Sequence, residues 1–273
     1  MPSSEPPDPE RLIDDVVQLS IEAGQEILQH YQTDYSVEYK SNNTPVTIAD
    51  VRANGIIVSG LKHLEPSIPI ISEESPLPDY EERSMWSCYW LVDPLDGTKS
   101  FVRQEDEFTV NIALVDGASV ILGVVHSPCE NRTYWGVSGN GAHCLDSEND
   151  VVRKISVRNC SEGRATVITP RSRGFEKSKV FIDHLASESI ECDVVRASSS
   201  IKFCRVAEGV ADVFPSFTNT CEWDTAAAQC VLECAGGKVV DPAGNTVVYN
   251  KPDMLNPNFL ASGDADIDWT RFV

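Results

Sequence analysis

Two stretches near the start of the chain carry apolar residues at helical spacing. In the first, Asp8 can cap a helix that has Pro9 in its first turn, and the pattern continues to about Tyr31. In the second, Thr47 of the polar segment SNNTPVTIAD can cap another helix. The apolar positions of the two stretches are Leu12, Val16, Leu19, Ala23 and Ile27, then Ala53, Ile57, Leu61 and Leu64. The sequence therefore predicts two amphipathic helices.

From residue 89 the pattern changes to short runs that are rich in β-branched and aromatic residues. These runs are YWLVD, FTVNIALVD, VILGVVHSP and RTYWGV, and short turns containing Gly, Asp, Asn or Pro join them. Such runs and turns predict a largely antiparallel sheet. A further strand-like run, IPIIS, comes before them and ends at Glu73 and Glu74.

Beyond about Asn159 the chain alternates between strand-like and helical patterns. The strand-like runs are ATVIT, DVVRA, ADVFPSF and KVVD, and helices are predicted near residues 174 to 188, from Ser199 and from Trp223. This alternation is typical of α/β proteins. We therefore predict an α+β lobe over residues 1–159 and an α/β lobe over residues 160–273, with a cleft between them because no long linker separates the two.

The charge of the chain limits its partners. Its 22 Lys and Arg against 42 Asp and Glu give a formal net charge of -20, which repels nucleic-acid polymers and anionic lipid. A phosphorylated substrate would need cations as mediators. The nine cysteines form no CxxC pair, the N-terminal MPSSEPPDPERLIDD does not resemble a signal peptide, and no apolar run approaches the length of a membrane span. We therefore expect a cytoplasmic protein.

The segment WLVDPLDGTKSF, residues 90–101, carries the first candidate chemistry. Asp93 and Asp96 end an apolar strand, where Pro94 interrupts the hydrogen-bond ladder. Two carboxylates so placed suit a Mg²⁺ ion, although a solvated Asx turn explains the same spacing. Gly97 allows close approach of the backbone to a ligand, and Thr98 can begin a helix whose free N–H groups face an anion. Metal and phosphate would then be neighbours.

Three further acidic features have both structural and functional interpretations. Glu73 and Glu74 follow a buried-looking strand and can reach the same edge of the sheet, or belong to an acidic loop. Asp50 lies three residues after Thr47, which is also the spacing of a capping box. Asp224 begins an apolar helix, where the helix dipole favours a negative charge without any catalytic role.

Four separated motifs together resemble the inositol monophosphatase superfamily of Mg²⁺-dependent, lithium-sensitive phosphatases. They are D-P-L-D-G-T at 93–98, S-E-E at 72–74, P-V-T-x-A-D at 45–50 and W-D-T-A-A-A at 223–228. Within this superfamily, YWLVDPLDGTKSF, EFTVNIALVD, ILGVV and the SSxKFCxVAEG pattern at 199–209 resemble the CysQ-type 3'(2'),5'-bisphosphate nucleotidases. The resemblance implies a layered αβαβα sandwich with the metals between the lobes.

The resemblance also assigns roles to individual residues. Two or three Mg²⁺ ions would be held by Glu73, Asp93, Asp96, Asp224 and the Leu95 carbonyl. Asp50, Glu74 and the Thr98 hydroxyl would position and deprotonate the attacking water. The substrate would be contacted by Glu73, Leu95, Asp96, Gly97, Thr98, Ser199, Lys202 and Asp224. Such a metal cage has a physical purpose, because metal ions neutralise a phosphate that otherwise repels a hydroxide. The histidines His63, His126, His143 and His184 lie outside the motifs.

The substrate prediction depends on the second lobe. In related nucleotidases the Ser-x-x-Lys segment, here Ser199 to Lys202, contacts the second phosphate or the ribose, although a capped helix with an exposed Lys explains the same pattern. CysQ-type sequences commonly have an Arg where this chain has Ser216, and Arg171 or Arg173 would have to compensate. We predict removal of the 3'-phosphate from adenosine 3',5'-bisphosphate, and also from its sulfated precursor. The alternatives are an inositol-1-phosphatase or sugar phosphatase, a metal-dependent nucleotide sensor without turnover, and a purely structural acidic protein.

Overall fold

The computed structural model describes residues 6–32, 38–39, 45–160, 163–171, 174–263 and 267–273. The α-helices within these residues are α1 (Pro9–His30), α2 (Ile48–Leu64), α3 (Tyr80–Arg83), α4 (Thr98–Arg103), α5 (Phe175–Ser187), α6 (Ile201–Ala207) and α7 (Ala226–Cys234). Two short 3₁₀ helices cover Glu222–Asp224 and Trp269–Phe272. No helix of the described residues is both long enough and apolar enough to cross a membrane.

Within the same described residues, the strands form two large sheets and one small ladder. The strands are β1 (Glu38–Tyr39), β2 (Pro45–Val46), β3 (Ile70–Ser72), β4 (Cys88–Asp96), β5 (Thr109–Asp116), β6 (Ser119–Ser127), β7 (Arg132–Val137), β8 (Gly141–Asp146), β9 (Val151–Ile155), β10 (Arg164–Pro170), β11 (Glu191–Ala197), β12 (Val213–Ser216), β13 (Lys238–Val240) and β14 (Phe259–Ser262). β1 and β2 pair with each other in an antiparallel ladder.

The first large sheet has seven strands in the order β3-β4-β5-β6-β7-β8-β9. β3 runs parallel to β4, and every other neighbouring pair is antiparallel. The predicted antiparallel sheet is therefore confirmed. β8 and β9 were not predicted, and four of the five residues of β9 are exposed, so that this edge strand lacks the alternation that marks a half-buried strand.

The second large sheet has five strands in the order β11-β10-β12-β14-β13. β11, β10 and β12 are parallel, as the predicted strand–helix alternation requires, whereas β14 is antiparallel to β12 and β13. The carboxyl ends of three parallel strands therefore open at one edge, where ligand sites of α/β sheets are commonly found. The predicted helix from Trp223 begins as a 3₁₀ turn, and regular α-helix starts at Ala226.

The two sheets and the helices form five layers. α1 and α2 pack on one face of the seven-stranded sheet, α6 and α7 lie between the two sheets, and α5 covers the outer face of the five-stranded sheet. The predicted layered αβαβα sandwich is therefore confirmed. α7 approaches the first sheet so closely that a Cβ added to Gly123 would lie 2.3 Å from the Ala227 carbonyl oxygen. The division into lobes at residue 159 stays a prediction, because α7 belongs to the second part of the chain but packs on the sheet of the first.

Local sequence signals explain where the two long N-terminal helices begin. The Asp8 side chain accepts a hydrogen bond from the Glu10 N–H at 3.0 Å, and Pro9 occupies the first turn of α1. Thr47 caps α2 in the same way, with its hydroxyl accepting from the Ala49 N–H at 3.2 Å. Both predicted caps are confirmed, and α2 is thereby fixed with Asp50 in its first turn.

Candidate active site

The end of β4 places two acidic side chains at the edge of the seven-stranded sheet. Asp93 pairs with Asn111 of β5 and Asp96 pairs with Thr109, so that the register shifts between the two acids. The shift falls where Pro94 lacks an N–H for the ladder. The freed Leu95 N–H instead donates to Asp93 Oδ1 at 3.1 Å, which fixes the orientation of that carboxylate.

Three carboxylates that are distant in sequence meet at this edge. Glu73, Asp93 and Asp224 each offer one oxygen, and these oxygens lie within 4.8 Å of one another. Glu73 arrives there because β3 runs parallel to β4, and its N–H donates to the Val92 carbonyl at 3.1 Å. Asp224 ends the 3₁₀ turn after β12, and its Oδ2 accepts from the Cys221 N–H at 2.8 Å.

These carboxylates open on a cavity of about 250 Å³. Its walls are formed by Glu73, Asp93, Leu95, Asp96, Gly97, Thr98, Lys99 and Asp224. Seven of these eight residues are those that the sequence predicted for metal or substrate binding, and the eighth, Lys99, belongs to the same WLVDPLDGTKSF segment. The structure therefore brings the predicted ligand residues into one site.

The cluster is electrostatically unfavourable without a cation. Burial raises the pKa of Asp93 well above its usual range, and the charges of Glu73, Asp96 and Asp224 raise it further. Burial likewise raises the pKa of Asp224. Buried carboxylates so close together repel one another and are costly unless a positive charge is placed between them. A set of carboxylate oxygens with a nearby backbone carbonyl fits a hard divalent cation such as Mg²⁺.

Asp50 belongs to the capping box at the start of α2 and also contacts the site. Its Oδ2 accepts from the N–H and the hydroxyl of Thr47, each at 2.7 Å, which completes a capping box. Its Oδ1 accepts from the Thr98 hydroxyl at 3.2 Å, and the Leu95 carbonyl lies at the same distance from that hydroxyl. Burial raises the Asp50 pKa to about 6, and the nearby charge of Glu74 adds to this rise.

Gly97 is required by the backbone at the mouth of the cavity. Its φ is +92°, and an added Cβ would lie 3.0 Å from the Glu107 carbonyl oxygen and 3.3 Å from the Ser199 Cβ. Any larger residue would therefore be strained there. As the sequence predicted, α4 begins immediately afterwards at Thr98.

Ser199 and Lys202 lie beside the acidic cluster. Ser199 has a φ of +51°, and its buried hydroxyl has no hydrogen-bond partner among the described residues. The Lys202 ammonium donates to the Ser199 carbonyl and lies 5.1 Å from the centre of the Phe214 ring. Burial lowers the Lys202 pKa, whereas the negative charges of Asp96, Glu107 and Asp224 oppose that change. The ammonium group thus lies within electrostatic range of the acids of the site.

Of the two residues that were expected to replace a missing arginine, Arg171 does not line the cavity. Ser216 is buried within β12. Arg171 donates from Nε and from Nη2 to the two carboxylate oxygens of Glu107, both at 2.6 Å, so that its bidentate edge is already occupied. Arg173 lies outside the described residues.

Two residues of the site were not predicted. Ser200 donates towards Asp96 and towards the backbone of Asp224, and it accepts from the Asn111 side chain. Asn111 was detectable as the one polar side chain within the apolar run VNIALV, whereas nothing in the sequence distinguishes Ser200 from its two serine neighbours. None of the five histidines lines the cavity, and His126 is buried against Thr133 in the seven-stranded sheet.

Comparison with known proteins gives consistent matches over nearly the whole chain. The model of the inositol monophosphatase family matches residues 8–268. A 3'(2'),5'-bisphosphate nucleotidase CysQ from Escherichia coli is 41% identical over 254 residues, which are 92% of this chain and 99% of that protein. The corresponding CysQ from Haemophilus influenzae is 34% identical over 262 residues, which are 95% of this chain and 96% of that protein.

Solved structures with the same fold include two bacterial relatives. CysQ from Bacteroides thetaiotaomicron, described as a bacterial member of the inositol monophosphatase family, has a TM-score of 0.80 at 34% identity, covering 93% of this chain and 97% of its own. An IMPase from Thermotoga maritima has a TM-score of 0.77 at 26% identity, covering 96% of both chains.

Proposed function

Because the chain belongs to the inositol monophosphatase family, we propose that it is a 3'(2'),5'-bisphosphate nucleotidase. The proposed reaction removes the 3'-phosphate of adenosine 3',5'-bisphosphate and yields AMP and phosphate. The observation that carries the proposal is the meeting of Glu73, Asp93 and Asp224 at one cavity, in a chain that is 41% identical to a nucleotidase of this type. The sulfated precursor of this nucleotide is proposed as a second substrate, which places the enzyme in sulfur metabolism.

We propose that the site holds two or three Mg²⁺ ions. Glu73, Asp93, Asp96, Asp224 and the Leu95 carbonyl would hold them. Bound Mg²⁺ supplies water activation and charge neutralisation during in-line phosphoryl transfer. Lithium is expected to inhibit at millimolar concentration by competing for one Mg²⁺ position. The nine free cysteines support a reducing, cytoplasmic location for the enzyme.

Asp50 and the residues around it are proposed to take the proton from the attacking water. The Thr98 hydroxyl donates to Asp50 Oδ1, which leaves the hydroxyl oxygen free to accept a hydrogen bond from a water molecule in the cavity. Asp50, with a pKa raised to about 6, can then take up the proton that Thr98 passes on. Glu74, whose charge acts on Asp50, is proposed to orient the same water. In the overall reaction the water oxygen bonds to phosphorus, the P–O3' bond breaks, and a proton completes the ribose hydroxyl.

The substrate is held from both sides of the cavity in this proposal. The N–H groups of Gly97 and Thr98 would bind the phosphate that is removed. Ser199 and Lys202 would bind the second phosphate or the ribose, and the unpartnered Ser199 hydroxyl supports this assignment. A buried polar group without a partner is costly, and a ligand oxygen would satisfy it.

A substrate panel tests the proposal. Phosphate release is measured with Mg²⁺ for adenosine 3',5'-bisphosphate, inositol 1-phosphate and fructose 1,6-bisphosphate. We expect the highest kcat/KM for the bisphosphate nucleotide. Preference for inositol 1-phosphate would instead support an inositol phosphatase, which Ser216 and the Arg171–Glu107 ion pair favour because both reduce the arginines available to a second phosphate. Binding of nucleotide without any phosphate release would support a sensor.

The second-phosphate assignment has its own test in Lys202→Ala. This variant is expected to raise KM for the bisphosphate far more than KM for a simple monoester, because only the bisphosphate has a group for the ammonium. Lys177→Ala is a matched control, since its ammonium donates to the Phe217 carbonyl and does not line the cavity. Equal changes for the two substrates would contradict a nucleotide substrate.

A further inference from the structure

Ser200 joins three segments of the molecule at the proposed metal site. It is 1% exposed and lies at the N-terminal end of α6. Its hydroxyl lies 3.1 Å from Asp96 Oδ2 and 2.9 Å from the Asp224 carbonyl oxygen, and it accepts from Asn111 Nδ2 at 3.0 Å. One hydroxyl therefore contacts the end of β4, the middle of β5 and the 3₁₀ turn after β12.

The hydrogen-bonding capacity of the Ser200 hydroxyl limits how it can bond to its three neighbours. A serine hydroxyl has one hydrogen and two lone pairs. The Asn111 amide donates to one lone pair, so that the single hydrogen is shared between the Asp96 carboxylate and the Asp224 carbonyl. Both of these oxygens are acceptors, and the hydrogen that they share holds them close together.

Other groups act on Asp96 from the same side. Ser200 donates to Asp96 Oδ2, and Asn111 of β5 donates to the same Ser200 hydroxyl. The positive charge of Lys202 also acts on Asp96. Asp96 is thus held by residues of α6 and β5, in addition to its own strand.

We propose that Ser200 is a positioning residue. It fixes the distance between Asp96 on the seven-stranded sheet and Asp224 on the 3₁₀ turn that follows β12 of the five-stranded sheet. The inference rests on the proposed function, because it assumes that these two acids share a metal site. Groups that orient metal ligands typically change metal affinity or activity about 10–100-fold when they are removed. Ser200 would act on the ligands and not on the substrate.

The test is direct metal binding by Ser200→Ala. Mn²⁺ binding to the metal-free full chain is measured by titration calorimetry, and the Mg²⁺ concentration for half-maximal phosphate release is measured in parallel. We expect Mn²⁺ affinity to fall roughly tenfold and the Mg²⁺ requirement to rise by a similar factor. At saturating Mg²⁺, KM for the nucleotide is expected to stay unchanged.

Ser262→Ala is the matched control. Ser262 is fully buried in β14, and its hydroxyl has no hydrogen-bond partner in the part of the chain that the structure describes. Its replacement is expected to leave Mn²⁺ affinity unchanged. Unchanged Mn²⁺ affinity in Ser200→Ala, or an equal loss in Ser262→Ala, would overturn the proposal.

Two further outcomes are distinguishable. If Ser200→Ala does not fold, Asn111→Ala is measured in its place, and an unchanged Mn²⁺ affinity of that variant would overturn the positioning role. If the wild-type chain binds Mn²⁺ but releases no phosphate, the proposed function fails. The calorimetric comparison of Ser200→Ala with Ser262→Ala still decides whether Ser200 positions the two acids.

Discussion

Asp93 has unfavourable surroundings within the acidic cluster. The residue is 1% exposed and lies among the charges of Glu73, Asp96 and Asp224. Such a side chain is retained at a cost to stability, which is typical of functional sites. The replacement Asp93→Asn keeps the shape of the side chain and removes its charge.

We expect Asp93→Asn to lower turnover by orders of magnitude at saturating Mg²⁺. In the absence of metal, the same variant is expected to melt at the wild-type temperature or higher, because one charge is removed from a group of mutually repelling acids. Phosphate release and thermal denaturation in EDTA measure the two effects. Near-normal turnover would count against the metal site, and a large drop in melting temperature would indicate a structural role.

Asp50 shows why some single residues could not be interpreted from sequence. Its spacing from Thr47 fits a capping box, which the structure confirms, and its motif fits a catalytic role, which stays a prediction. One oxygen accepts from Thr47 and the other accepts from Thr98. A carboxylate has two oxygens, so the cap and the contact with the site do not exclude each other.

At the scale of elements, the sequence predicted those helices, strands and caps that are determined by residues close together in the chain. The caps of α1 and α2, the antiparallel run from β4 to β7 and the strand–helix alternation all follow from neighbouring residues. β9 was missed because four of its five residues are exposed, and β14 was missed because it pairs with strands that lie far away in the sequence. β14 has only four residues, all buried, and a short apolar run without alternation does not distinguish strand from helix.

The contact between α1 and β6 makes stability depend on pH. His126 of β6 is 3% exposed and packs against Gly24 of α1, where an added Cβ would lie 2.4 Å from the imidazole ring. Burial lowers the His126 pKa from 6.5 to about 4. Between these values the unfolded chain binds the proton and the folded chain does not. The stabilising contribution is therefore complete above pH 6.5 and is lost as the pH falls towards 4.

We expect this histidine to contribute about 3 kcal/mol to the change in unfolding free energy over that range. Urea unfolding of wild type and of His126→Gln is compared at pH 7 and pH 5. Glutamine does not titrate, so the variant should lose less stability between the two pH values than the wild type does. Identical losses in the two proteins would show that other groups cause the acid sensitivity.

At the scale of the whole molecule, the site is built from both large sheets. Glu73, Asp93 and Asp96 follow or end strands of the first sheet, whereas Ser200 and Asp224 lie on segments that follow strands of the second. The S-E-E and D-P-L-D-G-T motifs stand at the ends of β3 and β4, and this placement is what allowed the sequence to predict that their acids meet. The packing of α6 between the sheets determines where the Lys202 ammonium lies and which groups Ser200 bridges. No local sequence pattern predicts this packing.

The net charge of -20 makes the whole molecule sensitive to cations in two ways. Any salt screens the repulsion between surface charges, whereas Mg²⁺ should also bind the cluster of Glu73, Asp93 and Asp224. A ligand that binds only the folded state stabilises it by about 2.7 kcal/mol at a concentration of about 100 times Kd. We therefore expect Mg²⁺ to raise the melting temperature more than NaCl does at equal ionic strength.

Asp93→Asn separates the two effects, because it changes the net charge by one but removes a proposed ligand. The variant should keep the rise in melting temperature that NaCl produces and lose most of the additional rise that Mg²⁺ produces. Differential scanning calorimetry in matched NaCl and MgCl₂ series measures both. An equal effect of the two salts on the wild-type protein would mean that the acids at the cavity bind Mg²⁺ no better than the surface does, since screening alone would then account for the stabilisation.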